Sequence, residues 1–531
     1  MSAERFDVVI LGGGPSGLAT AASLLHDHSF ADFLIVEQSA TVGGLWQQGS
    51  EGKTWEGMTT NLAKEKCQFS TLLHDEETPT FPSAAAMHAY FVKLAGPFHH
   101  KIRFESTVTS VLPPVSDRPD WQVQYTQRGA AEGPTMVTCR FLVVATGVFS
   151  IPVIPENLAA VCDRAGIPWV HSGQVKKLSG DLVRSDSDHV VVVGGAYSGA
   201  DLALAIRQHA ARVTLCIRTP RWYMTRMLDK GVVAGGAPTG ETEAWDRLLE
   251  ARAPHHDDAP YTNAVTHAQR HRFLASILPQ PGESHPALRV DPRVHGANTV
   301  ITNLDFLDAV KEGRLGICNL NSSDESESKS LFASPESLVR EKVTKVVFAT
   351  GYRSSAERFL PEEVLGPCEA DFSSDYLPLV LYKATLHPTL DCLAFVGMYR
   401  GPYLSTIDVQ ARWVASLVVG KVSRPPQEKL KRFLEDERAV RATGYVGEEA
   451  EGHRHPFPHS NVVGFTDSIA EEIGERPLVR ELPGLAGAWT SSNLYRLKEF
   501  LAALGGDVGT HHSDWRSASE LRKVVEQSVK W

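Results

Sequence analysis

A tight glycine turn between a buried strand and a helix can do chemistry, because it presents backbone amides and the positive end of a helix dipole to a phosphate. This chain has two such turns. The first lies in FDVVILGGGPSGLATAASLL, Phe6 to Leu25. Gly12 allows the bend, Gly14 lets a pyrophosphate approach the backbone, and Gly17 lets the helix pack closely on the strand, with Pro15 and Ser16 completing the turn. Glu37 follows 25 positions after Gly12, at the end of the next strand. A carboxylate there accepts hydrogen bonds from ribose hydroxyls and repels a 2′-phosphate, so this site suits FAD or NAD. The second turn lies in HVVVVGGAYSGADLALA, His189 to Ala205, where Gly194 and Gly199 repeat Gly12 and Gly17 at an offset of 182. Ala196 replaces Gly14 and is followed by Tyr197 and Ser198; its extra methyl suits a cofactor that sits further out and dissociates. Thr219, 25 positions after Gly194, stands where the first unit has Glu37, with Arg218 and Arg221 beside it. No carboxylate rejects a 2′-phosphate here and guanidinium groups suit one, so the second site favours NADPH over NADH.

Placing these groups requires two strand–turn–helix units, and the chain is long enough for both. Its 531 residues exceed what one hydrophobic core organises, which predicts two or three domains. In the first unit the strand DFLIVEQ follows the helix, then KIRFESTVTSVLP and DWQVQYTQ read as antiparallel strands, and RFLVVATG ends at Ala145-Thr146-Gly147. The second unit begins near residue 185, continues through ARVTLCIR and closes on KVTKVVFATGY, with Ala349-Thr350-Gly351 repeating the earlier triplet. One glycine fingerprint is a weak signal, but two with matching flanks are a strong one. The fold class expected is α/β, with two dinucleotide-binding, Rossmann-like domains and the FAD domain discontinuous in sequence. Its first part is assigned to 1–165 and the NADPH-binding domain to 185–330, with an irregular, cleft-covering insertion at about 221–298. The second FAD part, with a C-terminal helical region, is assigned to 331–531. The acidic, serine-rich residues 319–337 read as a mobile surface loop.

The segments GGGPSG, VGGLW, TTNLAKE, VVATGVFSIPVIP, VVVGGAYSGAD, VVFATGY and DVQARW occur in that order from residue 6 to about 420, with a looser match to about 478. On them the chain resembles the flavin-containing monooxygenases, class B flavoproteins related to Baeyer–Villiger and N-hydroxylating monooxygenases. The resemblance implies a tightly bound FAD and a dissociable NADPH. It implies that reduced flavin and dioxygen give a C4a-hydroperoxide, which passes one oxygen atom to a small substrate, by N- or S-oxygenation. Baeyer–Villiger oxidation of a ketone is the alternative. A further alternative is a flavin-binding regulatory protein, or an NADPH oxidase without productive turnover, motivated by Ala196, by Tyr197 where the family has asparagine, and by a linker that keeps His171 and Ser172 but has Val175 in place of an aromatic. Asn61 matches the asparagine that faces flavin and oxygen in the family and is the expected catalytic residue. Further cofactor contacts are expected at Gly44, Leu45, Trp46, Val108 and Tyr352. The helix containing DVQARW, capped by Ser405 or Thr406, with Asp408 in its first turn and Gly420 at its end, is expected to point its N-terminus at the flavin ring. His171 is assigned a domain-coupling role.

Composition removes other classes. The net charge is −10 and basic residues are scattered, so no nucleic-acid partner is expected. Seven cysteines with wide spacing and no C-x-x-C pair argue against a disulfide framework, a zinc site and a dithiol reductase, and for a reducing compartment. No metal is expected, since HHDD at His255–Asp258 and the pairs His99-His100 and His511-His512 read as surface features. The first strand starts near residue 6, leaving no room for a signal peptide, and no apolar run reaches the ~20 residues of a membrane span. A soluble, cytoplasmic enzyme without a membrane anchor is the expectation. Oligomeric state and substrate are left open.

Overall fold

The structure is a computed structural model that describes residues 3–129, 133–180, 182–249, 267–292, 295, 299–302, 305–321, 331–373, 378–399, 403–442 and 462–475. The chain starts in β1 (Glu4–Leu11), turns into helix α1 (Pro15–Ala22) and returns in β2 (Phe33–Val36). Strict alternation fixes β1: Val8 and Ile10 enter one core while Val9 and Leu11 enter the other. Both faces are covered, so the strand reads as a continuous apolar run. Each fully buried valine or isoleucine contributes roughly 1.5–3 kcal/mol.

Helix α2 (Ala84–Ala95), capped by the Ser83 hydroxyl, leads to β3 (Ile102–Arg103), β4 (Ser106–Leu112), β5 (Trp121–Gln127) and β6 (Thr135–Val144). The sheet order is β3-β2-β1-β6-β5-β4. β4, β5 and β6 run antiparallel, as their alternating sequences predict, whereas β1, β2 and β6 are parallel. The second half of β6 also pairs in parallel with a late strand, β18 (Leu393–Phe395). This sheet is therefore assembled from both ends of the chain.

Between these ends lies an all-parallel sheet. After β7 (Ile151–Pro152) and helix α3 (Glu156–Ala165) come β8 (Trp169–His171), β9 (His189–Val193), helix α4 (Tyr197–Ile206) and β10 (Arg212–Ile217). With β15 (Gly316–Asn319) and β16 (Lys345–Phe348) the order is β15-β10-β9-β16-β8. The valines of β9 again divide, Val190 and Val192 to one side and Val191 and Val193 to the other. Residues 345–348, placed by the sequence in the last FAD segment, pair with β9 in this second sheet, Val346 opposite Val191. The pairing matches the reading of KVTKVVFATGY as the close of the second unit rather than the boundary drawn at 331. Beyond β16, β17 (Tyr352–Arg353) pairs antiparallel with β7, so the two connections between the sheets are hydrogen-bonded to one another.

The segment expected to be irregular carries short elements. β11 (Trp222–Thr225) pairs in parallel with β14 (Thr299–Thr302), and β12 (Met227–Asp229) pairs with β13 (Thr242–Ala244) as a hairpin. Helices Trp245–Leu249 and His267–Ile277 follow the hairpin. Strands of three or four residues are too short to show a period, which is why the sequence concealed them. His255–Asp258, residues 322–330 of the acidic loop and His511-His512 lie outside the described residues.

Candidate active site

A cavity of about 530 Å³ opens at the carboxyl end of β1, the edge where open α/β sheets bind ligands. Its floor is the first glycine turn. Gly12 has φ +105°, and a Cβ there would lie 2.8 Å from the Ala145 carbonyl oxygen. A Cβ on Gly17 would lie 1.9 Å from the Gly12 carbonyl oxygen. Both positions are closed to side chains by backbone. Gly14 differs: a Cβ there would meet only Gly44, at an ordinary 3.6 Å, so this side faces open space. Pro15 starts α1, and its missing amide costs nothing at a helix N-terminus. Gly12, Gly14, Pro15, Ser16, Glu37, Gly44, Leu45, Trp46, Asn61, Val108, Ala145, Thr146 and Gly147 all border this one cavity.

Glu37 is buried, and its carboxylate braces the turn it was expected to serve. Oε2 accepts from the Gly13 amide at 2.5 Å and Oε1 from the Ser39 amide at 2.7 Å. Burial raises its pKa, and these two amides oppose the shift. Glu37 borders the cavity. Asn61 leaves its buried side-chain oxygen Oδ1 without a hydrogen-bond partner. An acceptor buried in this way costs about 1–3 kcal/mol, which a ligand donor would recover. Its backbone carbonyl is taken by the Trp245 indole N–H at 2.8 Å.

The second turn reproduces the geometry of the first. Gly194 has φ +121°, a Cβ on it would lie 2.3 Å from the Ala349 carbonyl oxygen, and a Cβ on Gly199 would lie 1.7 Å from the Gly194 carbonyl oxygen. Tyr197 and Ser198, at the start of α4, reach the same cavity as Gly14 and Asn61. The other predicted residues of this unit do not line it. Gly194, Ala196 and Gly199 lie behind them, Ala349 packs beneath the turn, and Thr350 and Gly351 follow it. Arg218 is exposed and Arg221 half-buried, just beyond the end of β10 and away from the cavity lining. Tyr352 instead packs edge-on against His171, 4.7 Å between ring centres, with the Lys53 ammonium 4.6 Å above its ring.

His171 accepts from the Gly173 amide through Nδ1 at 3.2 Å, so its Nε2 donates to the Gly351 carbonyl at 3.0 Å. Burial pulls its pKa down to about 4. It is a neutral strut at the end of β8, bonded to the loop that follows β16 and packed on Tyr352 of β17.

The helix Leu404–Val418 brings its first turn to the cavity through Tyr403, Leu404 and Ile407. Its predicted cap is incorrect. Tyr403 holds the cap position without a side-chain hydrogen bond, and Ser405, Thr406 and Asp408 lie inside the helix. Thr406 bonds Thr466 at 2.8 Å, and Asp408 accepts from the Ser70 amide at 3.4 Å. A tertiary partner thus claimed the Thr406 side chain, which would otherwise have capped locally. Gly420 follows the end with φ +72°, as expected. Gln410 of this helix accepts from the Gly397 amide at 3.1 Å and donates to the Ala384 carbonyl at 3.0 Å, which holds Gly397 against Ser16.

Several lining residues had no sequence signal. Lys53 donates to the Phe149 and Ser150 carbonyls, and burial beside Lys176 pulls its pKa down to about 8. Asp201, Trp245 and Ile301 come from the second unit and its insertion.

A backbone cradle too tight for any Cβ, a helix N-terminus, a carboxylate bordering the cavity and an orphaned amide oxygen fit a flavin dinucleotide, and the volume falls in the usual range for cofactor sites. Known proteins agree. Residues 5–485 match the family described as flavin-binding monooxygenase-like. Dimethylaniline monooxygenase (N-oxide-forming) 2 of Cavia porcellus is 25% identical over 497 residues, covering 88% of this chain and 83% of its own. Cyclohexanone monooxygenase from Rhodococcus sp. Phi1, bound to NADP+, superposes with a TM-score of 0.62 at 13% identity, covering 89% of this chain and 97% of its own. S-allyl-L-cysteine S-oxygenase from Allium sativum superposes with a TM-score of 0.57 at 16% identity, covering 100% of both chains.

Proposed function

The chain belongs to the flavin-binding monooxygenase-like family, and from that premise we propose that it is an NADPH- and FAD-dependent monooxygenase acting on a nucleophilic nitrogen or sulfur of a small substrate. The observation that carries this reading is the shared cavity. It brings the first glycine turn, Glu37 and Asn61 to the same space as Tyr197 and Ser198 of the second turn. FAD, when bound, supplies electron transfer from a reduced nicotinamide and the activation of dioxygen. The protein's part is to bind, orient and exclude water. The amides at the head of α1 hold the pyrophosphate, and Glu37 accepts from the ribose hydroxyls while keeping the Gly13 amide in place. Asn61 offers an uncharged amide to the reacting oxygen, which suits a group that holds rather than transfers protons. Trp55, Met58, Ile301, Leu404 and Ile407 give the cavity an apolar wall. The names of the Cavia porcellus relative and the Allium sativum structure, N-oxide-forming and S-oxygenase, support the choice of substrate atom.

No helix among the described residues is long and apolar enough to cross a membrane. All seven cysteines are free thiols, and we place the enzyme in the cytoplasm on that ground.

The test is NADPH oxidation in air by flavin-loaded protein with a panel of tertiary amines, thioethers and ketones, followed by mass spectrometry for one added oxygen atom. Amine oxides or sulfoxides support the reading. Lactones or esters from the ketones replace it with Baeyer–Villiger chemistry. NADPH consumption that yields only hydrogen peroxide with every substrate overturns it in favour of an oxidase. The second site carries its own prediction. Arg218→Ala raises the KM for NADPH about tenfold, the loss of one charge-assisted hydrogen bond, and leaves that for NADH unchanged. Equal effects on both would remove Arg218 from recognition of the 2′-phosphate.

A further inference from the structure

The segment that carries Asn61 is irregular as far as Ala63, then turns into a short 3-10 helix, Lys64–Lys66, and it is held from two sides. The even residues are held by their own unit: the Thr60 amide donates to the Pro82 carbonyl at 2.9 Å and the Lys64 amide to the Thr80 carbonyl at 2.7 Å. The odd residues are held by the insertion of the second unit. Arg226 Nη1 donates to the Thr59 hydroxyl, and the Trp245 indole N–H donates to the Asn61 carbonyl at 2.8 Å. Asp246 Oδ2 accepts from the Ala63 amide at 2.9 Å, and Arg247 pairs with Glu65 at 2.7 Å. Asp246 is fully buried and the Arg226 side chain is 4% exposed, so water does not substitute for either contact. The β12–β13 hairpin sets their spacing, because it pairs Met227 with Ala244 and lets the Trp245 amide donate to the Arg226 carbonyl at 2.9 Å. Arg226 also pairs at 3.6 Å with Asp201, a cavity-lining residue of α4.

We propose that Arg226, Trp245 and Asp246 are positioning residues for Asn61: the insertion clips the Asn61 segment from the far side and ties its placement to α4 of the second nucleotide unit. This rests on the reading that Asn61 serves the oxygen side of the flavin. A carbonyl held by Trp245 and an amide held by Asp246 bracket residues 61 to 63, which fixes where the Asn61 side chain leaves the backbone. Misplacement of such a group by about 1 Å costs up to a hundredfold in the step it serves.

Trp245→Phe removes the N–H donor together with part of the ring, Asp246→Leu removes the acceptor, and Asp246→Asn keeps one. In flavin-loaded protein without NADPH or substrate, amide hydrogen exchange is expected to speed up roughly tenfold in the 59–66 peptide of Trp245→Phe and Asp246→Leu. The β1 and β9 peptides are unchanged, and Asp246→Asn restores protection. In turnover, the share of NADPH oxidation released as hydrogen peroxide rises severalfold in Trp245→Phe. In an Asn61→Ala background, Trp245→Phe adds nothing to that share. Wild-type exchange in the 59–66 peptide of Trp245→Phe, or a peroxide share that adds to that of Asn61→Ala, overturns the clip. Should Asp246→Leu fail to fold, Trp245→Phe decides alone. A wild-type protein that forms no oxygenated product would sink the functional reading, while the exchange measurements would still judge the clip.

Discussion

Gly17→Ala is expected to purify without its flavin, whereas Gly199→Ala is expected to purify yellow and to be reduced slowly by NADPH. The two substitutions are equivalent in their local surroundings. The added methyl would fall 1.9 Å from the Gly12 carbonyl oxygen in one case and 1.7 Å from the Gly194 carbonyl oxygen in the other. The obstacle in each is backbone, so the helix must move away from its strand. Overpacking of this kind costs about 1–3 kcal/mol or more, and here the movement displaces the helix N-terminus that holds a pyrophosphate. The consequences are expected to differ because we assign the flavin to the first turn and NADPH to the second. In the first, the displaced amides belong to the floor of the cavity beside Glu37, and flavin affinity falls by at least about tenfold. In the second, the first turn, Glu37 and Asn61 stay in place, so flavin is retained while the KM for NADPH rises. The flavin-to-protein absorbance ratio after gel filtration and the anaerobic rate of reduction read the two effects. A flavin-loaded Gly17→Ala protein, or a Gly199→Ala protein reduced at the wild-type rate, would show that the turns do not divide the cofactors in this way.

The other large effect is expected from Asn61→Ala. Flavin content is expected to be unchanged, because the groups proposed to grip the cofactor lie in the glycine turn and at Glu37. Formation of oxygenated product falls about a hundredfold, the usual loss when one preorganised polar group is removed from a reacting oxygen. NADPH is still consumed and hydrogen peroxide is released in its place, detected as the oxygen that catalase returns. The orphaned Oδ1 supports this assignment: a buried amide with an unused acceptor, bordering the cavity, is costly unless something binds it. A variant with the wild-type ratio of peroxide to NADPH would remove Asn61 from the oxygen side.

The two glycine turns were legible because their requirement is local. Positive φ at Gly12 and Gly194, and the close contact at Gly17 and Gly199, follow from the path of one strand into one helix. That path repeats wherever the spacing repeats. The apolar runs of β1, β6 and β9 were legible for a related reason, since burial on both faces leaves a continuous signal in sequence. The cap of the helix Leu404–Val418 misled because Thr406 has the right side chain for a local bond but found a distant partner in Thr466.

The sequence by itself determined that two dinucleotide-binding units exist, where each turn lies, and that Glu37 ends the strand beside the first. These are consequences of backbone sterics and strand burial, which act over a few residues. Only the tertiary structure decided that Tyr197 and Ser198 share a cavity with Asn61 while Arg218 does not, and that Trp245 and Asp246 grip residues 61 to 63. Hydrogen bonds spanning more than 180 positions leave no periodicity, and a tryptophan or an aspartate in a short segment looks the same whether it meets solvent or the far side of an active site.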